Sequence, residues 1–206
     1  MEAGAPTVHQ AGFLADPANE LPVVRVEAFK RVEDYLDAYL DDERFKVAYP
    51  QASEGWSEAW AMLWRADSKA KVIAVGRRAR AVMQDFAAAL IDWQEPRPAD
   101  PDANTQGHLS AVIELYRPQL GNSRCEFLES LFTYWWALND VVQRHELGGA
   151  HKASERLRWE DGRRLVILTA LVMVEIDRSL WASSGGIRVR RLSRASQRPR
   201  VGPRLT

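Results

Sequence analysis

One arginine and two histidines fall within the stretch Arg144-His145-Glu146-Leu147-Gly148-Gly149-Ala150-His151. Neutral imidazole takes up a proton near neutral pH, whereas guanidinium stays charged and offers forked donors to phosphate oxygens. These residue types suit metal-independent cleavage of a phosphodiester. A histidine can take the proton of a ribose 2′-hydroxyl, and an arginine can hold the charge that grows on the phosphate. A general base contributes about 10²–10⁴-fold in rate and one charge-stabilising donor about 10²–10³-fold, enough together for a modest ribonuclease. The same residues have plainer readings. Arg144 follows Asp140 by four positions, the spacing of an ion pair on one helix face worth a few tenths of a kcal/mol. His145 extends a three-four stripe from Val142 and suits packing or capping at a helix end, and His151 follows two glycines where a solvated loop is expected.

Other chemistry has less to stand on. No phosphate-binding lysine loop, dinucleotide-binding glycine pattern, nucleophile elbow or metal-ligand cluster is present, so neither a cofactor nor a metal is expected. Cys125 is the single cysteine, which fits a reducing compartment and leaves no intramolecular disulfide. The acidic pairs Glu33-Asp34 and Asp41-Asp42 look like solvated helix faces.

The elements that must position these residues are helical. Phe29, Val32, Tyr35, Leu36, Tyr39 and Leu40 recur at three-four spacing and predict an amphipathic helix over Glu27 to Phe45. Pro50 and Gln51 to Gly55 break that pattern, and a second helical region runs from about Trp56 to Trp93. Gly76 within it marks a bend or a close helix contact. Gln94 to Gly107, with three prolines, reads as an exposed connector. A short helix follows from His108 to Tyr116, ended by Pro118 and Gly121. Asn122 or Ser123 can cap the next helix, which continues to about Glu146 with Leu128, Leu131, Trp135, Leu138 and Val142 on its packed stripe. The last helix spans about Trp159 to Trp181, with Glu160 and Asp161 favouring its N-terminus and a wide apolar surface that asks for a central position. Without strand-like alternation or repeats, the expected fold class is all-α, a helical bundle of four or five helices with disordered termini.

The 206-residue chain is 46% hydrophobic, enough for one compact domain with its own core. The expected organisation is a flexible leader over 1–22, a helical domain over 23–182 and an arginine-rich disordered tail over 183–206. That tail carries seven arginines and no acid, which leaves 21 basic against 28 acidic side chains in the remainder and hides two opposite parts behind a net charge of zero. It could contact phosphates and make RNA binding salt-dependent, or be an extension without a selected role. The leader lacks the pattern of a secretory signal, and Leu165 to Ile176 is too short to span a bilayer, so a cytoplasmic protein with no membrane association is expected. Trp56, Trp60, Trp64 and Trp135 fit apolar stripes and read as core; Trp136 lies beside its stripe and could anchor a subunit interface.

At Arg144, His145 and His151 the chain resembles the HEPN superfamily, helical domains of bacterial abortive-infection and toxin systems. Their nucleases carry an arginine, often followed by a polar residue, and a histidine shortly after. The resemblance implies an α-helical bundle with the motif between two long helices, and two chains that juxtapose their motifs as a homodimer. It further implies a metal-independent endoribonuclease in which Arg144 binds phosphate, His151 is the general base and His145 an accessory polar residue, leaving a 2′,3′-cyclic phosphate. The partners so implied are RNA, a second copy and a protein antitoxin or defence partner. The alternative is a noncatalytic helical protein-interaction or RNA-binding module.

Overall fold

The computed structural model describes residues 30–93, 104–146 and 157–183. Among these residues every regular element is a helix, and the fold is all-α. The chain divides into two compact units, residues 1–35 and 36–206. Of the first, residues 30–35 are described; they are helical, with Val32 and Tyr35 exposed. The described part of this helix, residues 30–41, is labelled α1.

Seven further helices follow: α2 (Glu43–Ala48), α3 (Pro50–Trp64), α4 (Lys69–Asp92), α5 (Thr105–Leu115), α6 (Arg117–Leu120), α7 (Asn122–Glu146) and α8 (Trp159–Ser183). Eight helices among the described residues replace the four or five suggested by periodicity, because short polar caps cut the long patterns. The single helix expected up to Phe45 is divided at Asp42, whose carboxylate accepts the Arg44 N–H and starts α2. Pro50 does not break a helix; it occupies the first turn of α3, where its missing N–H costs nothing. The expected Trp56 to Trp93 helix is two, parted where Ser68 caps α4 by accepting from the Lys71 N–H. Asn104 likewise accepts the Gly107 N–H, so α5 begins inside the expected connector. Gly121, at φ 79°, closes α6 in a conformation that favours glycine, and its carbonyl receives the Cys125 N–H to open α7. The leader, residues 94–103 of the connector and the tail beyond Ser183 lie outside the described residues.

Within the second unit α4 packs on α3, α5, α7 and α8, and α8 packs on α3, α4, α6 and α7. The wide apolar surface of α8 is accordingly central: Leu165, Val166, Val172, Met173, Val174, Ile176 and Leu180 are all buried. Three indole N–H groups at this core are paired. The indole N–H of Trp135 donates to Thr169 Oγ1 at 2.8 Å, that of Trp56 to the Val166 carbonyl at 3.2 Å, and that of Trp159 to the Leu63 carbonyl at 2.9 Å. Gly76 resolves as a close helix contact, since a Cβ there would overlap the Val142 side chain of α7.

Candidate functional site

The motif begins on the last turn of α7, the helix that runs from Asn122 to Glu146. Arg144 is 66% exposed and its Nη2 donates to Asp140 Oδ2 one turn earlier. That is the ion pair expected from the four-residue spacing. His145 beside it is half-buried. His151 lies outside the described residues, as do Gly148 and Gly149. What the described part of the motif offers is a solvent-facing cation with one surface partner. No group of three or more His, Cys, Asp or Glu side chains among the described residues is placed to hold a metal ion.

Two polar clusters escaped sequence reasoning because their members come from distant helices. Asp177 on α8, 1% exposed, accepts from Tyr39 Oη at 2.7 Å, from Arg44 Nη1 at 2.8 Å and from Tyr49 Oη at 2.9 Å. Arg44 also donates to Tyr39 Oη at 2.8 Å and lies over the Trp181 ring at 4.7 Å. Burial, reinforced by the hydrogen bond to Asp177, pushes the Tyr39 hydroxyl well above the ordinary tyrosine range. Burial opposes the charge on Arg44, but the hydrogen bond to Asp177 and its field prevail and hold the guanidinium charged. With its oxygens occupied by three donors, this carboxylate pins Tyr39, Arg44 and Tyr49 to α8. The second cluster joins α4 to α7, where Arg80 Nε donates to the Oδ1 of buried Asn139 at 3.2 Å. Asn139 Nδ2 meets no acceptor among the described residues. Cys125 is buried and donates to the Ile113 carbonyl; burial raises its thiol away from the reactive thiolate.

The apolar residues hold the larger departure from expectation. Trp56 and Trp135 are core, as read, and Trp60 is half-buried against Trp56 with ring centroids 5.6 Å apart. Trp64, however, is 60% exposed and rests on Trp159 with centroids 5.5 Å apart. Trp136, which could anchor a subunit interface, is half-buried and packs against its helix neighbours Trp135 and Phe132 at 5.9 and 6.3 Å. On α7 the expected stripe splits. Leu128, Trp135 and Val142 are buried, with Phe132 and Asn139 beside them, while Leu131 and Leu138 are half-buried at its margin. Next to that margin, Phe127, Tyr134 and Val141 stand 43%, 59% and 36% exposed. Their spacing of seven was the signal available in the sequence, masked by the stronger stripe alongside.

Among the described residues no helix is long and apolar enough to cross a membrane. Comparison of the chain with protein-family models, with curated proteins and with solved structures returns no match.

Proposed function

We propose that this chain is a noncatalytic helical interaction module, with the outer face of α7 as its working surface. The observation that carries the reading is the run Phe127, Tyr134 and Val141, exposed at successive heptad positions on a 25-residue helix whose other side is core. Isolated exposed apolar side chains need no explanation, but a row of them repeating every two turns along one helix supports a surface for a partner. In the RNA-binding form of the module, the arginines beyond residue 183 add salt-dependent affinity for phosphates.

A second reading is the HEPN-like metal-independent endoribonuclease of a defence or toxin-like system, with Arg144 on the phosphate, His151 as base and His145 accessory. It is favoured by one observation, the exposure of Arg144 at the end of α7. Its pair with Asp140 is a surface one, worth about 0.3–0.5 kcal/mol, and a phosphate can displace it. Incubating purified protein with single-stranded and structured RNA in EDTA, beside Arg144→Ala and His151→Ala, separates the two. The module reading expects all three proteins to leave the RNA intact. Cleavage in EDTA by the wild type, lost in both variants, replaces it with the nuclease.

A further inference from the structure

We propose that the exposed stripe of α7 docks a second copy of this chain, the two α7 helices lying antiparallel and crossing at the level of residue 136. The inference rests on the module reading and names its partner. Six residues define the seam: Phe127, Leu131, Tyr134, Leu138, Val141 and His145 follow one another at alternating steps of four and three. That is the repeat with which two helices pack knobs into holes, and over this length it runs roughly 27 Å at 1.5 Å per residue. All six are exposed or half-buried, while the neighbouring stripe of Leu128, Trp135 and Val142 is already consumed by the core. Among the described residues the helix therefore has two apolar faces, and the outer one is only partly covered, with the Arg124 guanidinium 5.0 Å from the Phe127 ring centre at one end.

The seam matches itself in one orientation. In an antiparallel pair a single register sets Phe127 against the partner's His145, Leu131 against the partner's Val141 and Tyr134 against the partner's Leu138. Charge supports the same register. Glu126 and Arg144 bracket the seam, are both exposed, and lie five helical turns apart, so they project from the same flank of α7. Reversing one helix brings Glu126 to within roughly 3 Å, along the axis, of the partner's Arg144, and twofold symmetry repeats the contact. Ser130 and Ala137, exposed between them on that flank, are small enough to let the charged ends meet. A parallel pair instead sets like against like and leaves each acid roughly 27 Å from the partner's cation. Charge complementarity of this kind fixes register and orientation more than it adds affinity. The antiparallel arrangement also separates Arg144 from the partner's Arg144 by roughly 24 Å along the axis. It is thus distinct from a dimer that juxtaposes the two motifs.

The test is the association state of the full chain by sedimentation equilibrium, for the wild type, Glu126→Arg, Arg144→Glu and an equimolar mixture of the two variants. Each single change turns both symmetric contacts repulsive and should weaken the dimer about tenfold. In the mixture, the new arginine faces the new glutamate and the untouched Arg144 faces the untouched Glu126, so a heterodimer should re-form with wild-type affinity. Tyr134→Glu should give a monomer that keeps the helical circular dichroism of the wild type but melts at a temperature independent of protein concentration. A wild-type monomer at micromolar concentration overturns the proposal, as does a dimer indifferent to all three substitutions or variants that fail to rescue each other. RNA cleavage in EDTA tests the module reading separately and leaves this result standing or falling alone.

Discussion

Asp177 would be expensive as a lone buried carboxylate, and its three donors are what make it tolerable. Asp177→Asn keeps the shape but removes the charge that Tyr39, Tyr49 and Arg44 all address. It should cost on the order of 3 kcal/mol in urea denaturation. Tyr39 adds a pH signature. Because burial and the bond to Asp177 raise its folded value above the ordinary 10.0, the folded chain holds this proton more tightly than the unfolded chain. The contribution is intact below about pH 10 and is lost as pH rises from there through the folded value. Stability measured by denaturation from pH 8 upward should therefore fall more steeply for the wild type than for Tyr39→Phe; parallel curves would contradict this. No sequence pattern pointed to this cluster, since residues 39, 44, 49 and 177 meet only through tertiary packing. The Asp140–Arg144 pair, by contrast, was legible because both ends lie on one helix face.

At the scale of elements, what could be read were the long apolar stripes, and what could not were the places where caps interrupt them. Pro50 looks like a breaker until its position at the start of α3 is known, and Ser68 and Asn104 are short polar residues whose capping role depends on the neighbouring turn. The two faces of α7 blurred for a geometric reason. Leu131 and Leu138 lie between the core stripe and the outer one, so a three-four reading starting at Leu128 absorbs them and leaves Phe127, Tyr134 and Val141 as scattered surface residues. Gly76 shows the tightness of the α4–α7 seam. Gly76→Ala should destabilise the fold by about 1–3 kcal/mol, since its methyl overlaps Val142. Gly76→Ala combined with Val142→Ala should recover part of that loss relative to the sum of the single changes. Thermal melts of the four proteins measure the coupling, and strict additivity would mean that these residues do not oppose each other.

For the whole molecule, the described helices of the second unit make a bundle whose central pair, α4 and α8, is covered on its flanks while α7 keeps one apolar face outward. The proposed self-association through this row distinguishes the account from one in which Arg144 and His151 act on RNA. The two accounts also separate by salt. Truncation at residue 183 should remove salt-sensitive RNA binding, if the arginine-rich segment provides it, while leaving self-association unchanged. The most direct measurement of the central claim is a distance-specific cross-link: full-length Phe127→Cys/His145→Cys on a Cys125→Ala background, oxidised at low concentration and resolved without reductant. The account predicts covalent dimers for the double-cysteine protein and none for either single-cysteine version, because each cysteine faces the other position across the twofold axis. Cross-linking by either single cysteine at the same rate, or monomer throughout, would contradict it.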